Sequence, residues 1–526
     1  MTDWGPRTMQ RTGGAMGTVA HVLAVNPVPA RSQMGASLGF HIILACLGIA
    51  FAAVTMIAEW IGIKRGDATA MLLARRWSKV MAVLVAVGAV SGTVMSYEMG
   101  LLWPGLMGRF GAAIGVPFSV EGIFFFLEAI FVGVYMYGWQ RLPPWVHWWS
   151  GMPIVVGGAL GALSVVAANS WMNSPAGFTL KAGRITRVDP VSVFFNAATP
   201  YETTHMLLAA YMVTGFLIAG VYAVGLLRGR RDRYHRLGFA IPFTVAGIAA
   251  PLQVMMGDVI ARFIAGNQPV KFAAMEYVPR TTRDAPEWLG GIFINGHVYF
   301  GAAIPAFDSI LVGFSPHTRV IGWDSVPAAQ RPPLVTLIHL SFNLMIGLGF
   351  FLFALAAWQG WWWLFHRRLL LTAWFLVPSA VGGVAAVVAM EAGWVVTEVG
   401  RQPWVVYRVL LVRDAVTPAS GVPVTLGVIL ALYAVLTVVS IGIPMIMSRR
   451  WRQRPPAEED ADQVPYGPSP AWAARVVSPA PPEALPASTA LPASTGAPST
   501  GRPSTGRPST GRPSTAAPST GGPEAQ

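Results

Sequence analysis

Nine apolar segments, each long enough to cross a lipid bilayer, constrain this chain more than any other feature. A spanning helix needs about 20 residues, and such runs lie at 36–58, 78–101, 116–138, 148–171, 204–227, 237–258, 334–358, 369–392 and 423–447. The 526 residues are 54% hydrophobic and 12% charged, whereas an average soluble domain is about 25% charged. The sequence therefore predicts an all-α polytopic membrane protein with about nine transmembrane helices.

The basic residues lie in short clusters that predict an orientation. The formal charge of +13 could suggest a nucleic-acid partner, but the clusters lie between apolar runs and in the tail, so membrane topology explains them better. The clusters that follow the first, fifth, seventh and ninth runs are Lys64, Arg65, Arg75 and Arg76; Arg228, Arg230, Arg231, Arg233 and Arg236; Arg367 and Arg368; and Arg449, Arg450, Arg452 and Arg454. The positive-inside rule makes these ends cytoplasmic. We expect the N-terminus outside and the C-terminus inside.

Composition divides the chain into five predicted segments. The N-terminal segment is too polar and too rich in Gly and Pro for a signal peptide, and Met16 is an alternative start. The C-terminal tail is rich in Pro, Ser, Thr and Gly, repeats GRPST three times, and is expected to be disordered in the cytoplasm. The predicted order is N-terminal segment 1–33, helices one to six 34–258, an extracytoplasmic loop 259–333, helices seven to nine 334–447, and tail 448–526.

Ionisable residues inside the predicted spans indicate one functional layer. A charged side chain at mid-membrane costs about 2.5–3.5 kcal/mol or more, so such residues mark functional sites. With the predicted orientation they gather near the outer ends of the helices, while the inner half is nearly devoid of them. The single cysteine, Cys46, excludes Cys-based metal sites and covalent haem attachment. The residues of this layer are His41, Glu98, Glu121, His205, Asp258, Glu391 and Glu398.

The stretch EAGWVVTEVGRQPW, residues 391–404, is the densest part of this layer. Glu391 and Glu398 are seven residues apart, so they share one helix face. Gly400 and Pro403 are expected to end the helix. Arg401 would then lie at the mouth of the site, where its planar guanidinium suits a carboxylate or a propionate.

The same stretch carries a family resemblance. Gly393, Trp394, Glu398 and 400–404 (GRQPW) resemble the signature of subunit I of the cytochrome bd-type quinol oxidases, and WMNSP at 171–175 resembles a second family stretch. The resemblance extends over about 30–447. It implies a terminal respiratory quinol:oxygen oxidoreductase of the bacterial cytoplasmic membrane, which reduces O2 to water and generates proton motive force without pumping.

The resemblance implies ligands for a low-spin haem b. His205 in ETTHM and Met345 in FNLMI stand at the family's ligand positions, and a His/Met pair gives a haem of raised potential. His339 points about 240° away from Met345 around the helix, so it cannot easily replace the methionine. Asn343 is a departure, since the family often has an arginine there, and it removes a charge partner for the haem.

The resemblance also implies a high-spin haem pair. Glu398 matches the carboxylate ligand of a high-spin haem b, and His41 in GFHI matches a ligand of that pair. The second member is haem d or a third haem b, and which iron His41 binds stays open. Further residues expected to bind cofactor are Trp394, Arg401, Gln402 and Trp404.

Three acids are candidates for catalytic proton transfer: Glu121, Glu128 and Glu391. Glu121 and Glu128 are seven apart and share a helix face, but family members place these acids one residue further apart. Either a local helical bulge restores the geometry, or one acid has lost its role. Glu128 in FLEAIFVG fits the family context better.

Lys271 and Glu276 lie in the long loop, in KFAAME. Their spacing alone favours solvated loop charges. The resemblance instead implies that they contact quinol in a quinol-binding loop of the shorter kind, with Asp258 as a further substrate-binding residue.

The resemblance also implies a second oxidase subunit and allows for a small single-helix subunit, with no nucleic-acid partner. One alternative is a haem-free proton-coupled transporter, whose intramembrane acids and histidines would bind protons or substrate. The sequence shows no inverted repeat, which disfavours the transporter. The other alternative is a bd-like oxidase that carries only b-type haems.

Overall fold

The computed structural model describes residues 27–181 and 184–453, and within them nine helices are long and apolar enough to cross a membrane. The predicted fold class is therefore confirmed. The long helices are α1 Pro27–Arg65, α2 Ala68–Leu102, α3 Pro104–Gly138, α4 Pro144–Asn173, α6 Thr199–Leu227, α7 Arg233–Asn267, α10 Val335–His366, α11 Ala373–Gly400 and α12 Val422–Gln453. The short helices are α5 Pro190–Phe194, α8 Pro269–Met275 and α9 Phe307–Gly313.

The long helices extend past the apolar runs that predicted them. They contain 28 to 39 residues, because polar turns continue the helix beyond the hydrocarbon region that hydropathy detects. Helix α1 begins at Pro27 rather than near 34, and α7 continues to Asn267 rather than ending at 258. Helix α11 ends at Gly400 as predicted. Predictions about Met16, the remaining N-terminal residues and the tail beyond 453 lie outside the described residues.

Successive long helices alternate in direction, so their ends form two sets. We call one set the loop end, where segments 174–198, 268–334 and 401–421 connect the helices. We call the other set the arginine end, because its short connections carry the basic clusters. The predicted membrane orientation places the loop end outside.

Four helices form a closed ring in which α6 contacts α7 and α11, and α10 contacts the same two. Phe216, Phe243 and Phe375 are buried in its core, with ring centroids 5.5 Å apart for both Phe216–Phe243 and Phe243–Phe375. Gly383 permits close packing, since a Cβ there would lie 2.8 Å from the Leu217 Cα. Small residues at such crossings let helix backbones approach in lipid.

The segments at the loop end have secondary structure of their own. Segment 268–334 contains α8, α9 and two antiparallel strand pairs, β3 (Glu287–Leu289) with β6 (Ala302–Ile304) and β4 (Ile292–Ile294) with β5 (His297–Tyr299). Its apolar core includes Phe272, Tyr277 and Trp323. The strands of the described residues are β1 Phe178–Lys181, β2 Arg184–Val188, β3 Glu287–Leu289, β4 Ile292–Ile294, β5 His297–Tyr299, β6 Ala302–Ile304, β7 Trp404–Val406 and β8 Leu410–Leu411.

Candidate functional site

A buried polar network at the loop end is centred on Asn173, the last residue of α4. Its Oδ1 accepts hydrogen bonds from Lys271 Nζ at 3.3 Å and Arg401 Nη1 at 3.1 Å. Its Nδ2 donates to Glu202 Oε1 at 2.8 Å. One amide therefore joins side chains from α6, α8 and the end of α11.

Glu398 lies at the edge of this network. Its Oε1 accepts a hydrogen bond from Asn169 Nδ2 at 2.7 Å, and its Oε2 accepts one from Arg401 Nη2 at 2.5 Å. Arg401 was expected at the mouth of the site, but its side chain is only 4% exposed and lies inside. The reason is that two acceptors, Glu398 and Asn173, draw the guanidinium inward.

Lys271 is buried with an acid nearby. Burial lowers the pKa of the Lys271 ammonium to about 8, and the Glu202 carboxylate opposes part of that shift. Glu202 also accepts a hydrogen bond from Ser170 Oγ at 2.9 Å. Sequence reasoning assigned Glu202 no role, although its place one turn before His205 on the same helix was a usable signal.

A small cleft of about 20 Å³ lies beside the network. Its lining includes Lys271, Arg401, Gln402, Trp404 and Tyr407. Two buried cations thus border a concave surface that also carries aromatic rings. The cationic side chains at this surface can donate hydrogen bonds to the oxygen substituents of a ligand.

The predicted low-spin haem ligands lie on opposite helices of the four-helix ring. His205 is on α6, and its Nε2 lies 3.1 Å from Gln253 Nε2 on α7. Met345 is on α10, and its sulfur lies 3.0 Å from the position that a Cβ on Gly393 of α11 would take. All four helices of the ring thus contribute a residue to the surroundings of the two predicted ligands. Gln253 was missed, although it is a lone amide within an apolar run.

Helix α1 brings a second group of predicted residues together. His41 Nδ1 lies 2.9 Å from Ser91 Oγ. A Cβ on Gly39 would lie 3.3 Å from Glu391 Oε2, and a Cβ on Gly48 would lie 3.8 Å from Glu128 Oε1. Glu391, His41 and Glu128 therefore follow one another along α1, from the loop end inward.

The spacing of Glu121 and Glu128 is not corrected by the backbone. Helix α3 is an uninterrupted α-helix across both residues, without a π-type bulge. The acids are thus two ordinary turns apart. Helix α3 therefore lacks the bulge that would have restored the family geometry. The other alternative, that one of the two acids has lost its role, stays a prediction.

Asp258 makes no hydrogen bond to the Asn173 network or to the acids beside α1 among the described residues. It lies on the surface of α7, where its side chain is 46% exposed and pairs with Arg262, with 2.6 Å between Oδ1 and Nη2. The i, i+4 spacing brings these two side chains together on the helix. The structure therefore separates Asp258 from Lys271, with which it was grouped as substrate-binding.

Glu276 is also apart from the Asn173 network. It is buried beside two other loop acids, Glu287 and Asp308. Burial raises the pKa of Glu276 well above its usual range, and the neighbouring carboxylates raise it further. Its interpretation as a solvated loop charge is excluded.

His339 and Asn343 attach the loop to α10. His339 Nδ1 lies 2.5 Å from the Met275 carbonyl oxygen, and its Nε2 lies 3.1 Å from that of Gly290. Asn343 Oδ1 accepts a hydrogen bond from the Gly290 amide at 2.8 Å. These contacts bind His339 to two backbone carbonyls, and they give Asn343 a structural role where the family often has arginine.

A buried pair at the arginine end was not predicted. His147 Nδ1 lies 2.6 Å from Glu59 Oε1, and Tyr135 donates to Glu59 Oε2 at 2.5 Å. Both His147 and Glu59 are 0% exposed. The inner half of the helices, expected to be nearly devoid of ionisable groups, therefore contains this one buried pair among the described residues. The apolar run was predicted to start at 148, one residue after His147. The helix itself begins at Pro144 and so includes His147.

The residues present fit haem. Imidazole and thioether groups are common axial ligands, and a carboxylate oxygen has two lone pairs, so Glu398 can accept its hydrogen bonds and still bind iron. Among the described residues, buried atoms of the site helices without a hydrogen-bond partner include Glu391 Oε1, Gln253 Oε1 and Arg401 Nε. Buried polar atoms are normally paired, so these atoms favour a bound group with polar substituents.

The fold and site define a multi-pass membrane protein whose buried ionisable groups converge where the loops meet. Residues 29–454 match the family described as cytochrome bd terminal oxidase subunit I. The chain belongs to this family, which makes it a haem-carrying oxidoreductase rather than a transporter.

Relatives and a solved structure agree with this assignment. The putative cytochrome bd menaquinol oxidase subunit I of Bacillus subtilis (strain 168) is 32% identical over 439 residues, which cover 82% of this chain and 98% of that protein. The cytochrome bd-II ubiquinol oxidase subunit 1 of Escherichia coli (strain K12) is 25% identical over 453 residues, covering 72% and 87%. The structure of bd oxidase from Geobacillus thermodenitrificans matches with a TM-score of 0.75 and 34% identity, covering 81% of this chain and 99% of that one.

Proposed function

We propose that this chain is the quinol-oxidising subunit of a terminal oxidase that reduces O2 to water. Two quinols yield four electrons and four protons, and one O2 consumes four of each to form two waters. The observation that carries this proposal is the position of the Asn173 amide. It accepts hydrogen bonds from both Lys271 and Arg401, and Arg401 in turn donates to Glu398 on the proposed haem side.

Quinol binds at the cleft, with Lys271 as a hydrogen-bond donor to a quinol oxygen. A buried ammonium with a pKa near 8 is a strong donor that can also give up its proton. Glu276 lies on the loop side and is the second residue that we assign to quinol. Burial and the neighbouring carboxylates raise its pKa and favour its protonated form, which can donate a hydrogen bond to a quinol oxygen.

Bound haem supplies the one-electron redox chemistry that connects quinol with oxygen. His205 and Met345 would hold a low-spin haem b, and Glu398 would hold a high-spin haem b. His41 would serve the high-spin pair, whose second member is haem d or a third haem b. Arg401 orients Glu398 and offers its unpaired Nε to an acidic substituent, while Trp394, Gln402 and Trp404 line the same region.

Glu128 of α3 and Glu391 of α11, which both lie against α1, carry protons to the oxygen site, and Glu121 is the third proposed member of this path. Quinol protons leave at the loop end and consumed protons enter from the arginine end, so charge separates without a pump. This sidedness follows from the predicted orientation in the bacterial cytoplasmic membrane. Turnover in oxidase-loaded vesicles should change the internal pH, and an unchanged internal pH would contradict it.

Subunit II, and a small single-helix subunit, complete the assembly. The exposed lipid-depth surface of α12 and α3, which carries residues such as Ile130 and Val438, is available for lipid or for these partners. Purification of the chain from a native membrane should recover subunit II with it.

The decisive experiment is pigment extraction and difference spectroscopy on the wild type and on His205→Ala. We expect the variant to lose the low-spin haem signal and to keep the high-spin one. His297→Ala, at an exposed loop histidine, is the matched control and should match the wild type. An unchanged low-spin spectrum in His205→Ala refutes the ligand assignment, and a colourless wild-type protein refutes the oxidase.

A further inference from the structure

Three acids of segment 268–334 meet inside the loop. Glu276 follows α8, Glu287 lies in β3, and Asp308 lies in α9. One carboxylate oxygen from each lies within 4.8 Å of the other two. The three side chains are 3%, 7% and 0% exposed.

Asp308 has no compensating partner. Both of its carboxylate oxygens are buried without a hydrogen bond, as are Glu276 Oε2 and Glu287 Oε2. Its neighbour Ser309 is engaged elsewhere, because Ser309 Oγ accepts a hydrogen bond from the Ala285 amide at 2.8 Å. No Lys, Arg or His of the described chain forms an ion pair with any of the three acids.

A buried charge needs an opposite charge or a metal to offset its desolvation. Ca²⁺ prefers hard carboxylate and carbonyl oxygens at about 2.3–2.6 Å. Two oxygens on opposite sides of Ca²⁺ are up to about 5 Å apart, so three carboxylate oxygens that lie within 4.8 Å of one another can share one such ion. Mg²⁺ requires about 2.0–2.1 Å and hence a tighter cage.

We propose that Glu276, Glu287 and Asp308 form a divalent-cation site of the Ca²⁺ type within the loop. The site goes beyond the proposed oxidase activity and does not depend on it. It joins the chain after α8 to β3 and α9, and so fixes the segment that follows Lys271.

The test uses the purified oxidase complex, stripped with EGTA and titrated with ⁴⁵Ca²⁺ by equilibrium dialysis. We expect one site that Asp308→Asn and Glu287→Gln each weaken at least tenfold. Asp324→Asn, at an exposed acid of the same loop, should bind Ca²⁺ like the wild type. The haem spectrum of each variant shows whether the complex has assembled, independently of whether it binds the cation.

A wild-type complex that binds neither Ca²⁺ nor Mg²⁺ overturns the proposal and shows that the acids share protons instead. Equal Ca²⁺ affinity in both variants and the wild type also overturns it, and binding of Mg²⁺ alone overturns the Ca²⁺ assignment. If the variants fail to assemble, limited proteolysis of the wild type decides. Ca²⁺ should protect residues 277–334 from cleavage at least tenfold, and equal cleavage with Ca²⁺ or EGTA would refute the site.

Discussion

Arg401 Nη2 lies 2.5 Å from Glu398 Oε2, while Nη1 of the same guanidinium donates to Asn173 Oδ1 at 3.1 Å. A planar guanidinium can serve two acceptors in fixed directions, whereas an ammonium acts as a single point charge. The orientation of Glu398 therefore depends on the shape of the Arg401 side chain as well as on its charge.

Arg401→Lys should loosen Glu398 and lower the high-spin haem signal. One buried acceptor loses its donor, which costs about 1–3 kcal/mol and corresponds to roughly a tenfold loss of high-spin haem occupancy or of turnover. The measurement is haem content by difference spectroscopy alongside quinol oxidation. Arg413→Lys, at an arginine outside the cleft that is 75% exposed, is the control, and equal spectra for both variants would contradict the role of Arg401.

Gly393→Ala should perturb the low-spin haem. The new Cβ would lie 3.0 Å from the Met345 sulfur, so the methionine must shift by a few tenths of an ångström. We expect a shifted low-spin absorbance band and a changed midpoint potential. Gly347→Ala on α10 adds the same methyl where nothing lies within 4 Å, and it should leave the spectrum unchanged. A wild-type spectrum for Gly393→Ala would count against Met345 as a ligand.

Gly400→Ala should impair quinol oxidation through Lys271. A Cβ at Gly400 would lie 2.9 Å from Lys271 Cγ, which forces the lysine stem away from α11. We expect a several-fold rise in the KM for quinol with an unchanged haem spectrum. Gly266→Ala, where a Cβ meets nothing within 4 Å, serves as the matched control. If the two variants have the same KM, Lys271 does not contact quinol.

Glu59→Gln should destabilise the arginine end without changing the haem spectrum. Leaving a buried polar group without its hydrogen-bond partner costs about 1–3 kcal/mol, and Glu59 contacts both His147 and Tyr135. Thermal unfolding of the complex should therefore occur at a lower temperature. Arg233→Ala removes the partner of Asp67 in a pair whose arginine is 64% exposed, and it should have little effect. Equal unfolding temperatures for the two variants would show that the buried pair adds no stability.

The helices could be predicted because each long apolar run has one favourable solution in lipid, a helix that satisfies its own backbone. The same reasoning missed their polar ends. Asp67 accepts hydrogen bonds from the amides of Thr69 and Ala70 and so caps α2, which starts the helix ten residues before the apolar run. Capping and interfacial turns lie outside what hydropathy measures.

The site was only partly predictable. Lys271, Glu398 and Arg401 were singled out by motif, and the structure joins them through Asn173. Asn173, Glu202 and Gln253 were missed because their importance comes from neighbours distant in sequence. Asp258 lies at the same depth in the sequence as the site residues, but its side chain pairs with Arg262 on the surface of α7, and its role in substrate binding stays a prediction.

The single amide oxygen of Asn173 accepts from both Lys271 and Arg401, and this sharing has a thermodynamic consequence. Whatever draws Lys271 away from that oxygen strengthens its bond to Arg401, and whatever holds Arg401 more firmly makes Lys271 easier to release. Such linkage is reciprocal. Ligand binding in the cleft should therefore change how firmly Arg401 holds Glu398, and the position of Glu398 should change the affinity of the cleft for its ligand.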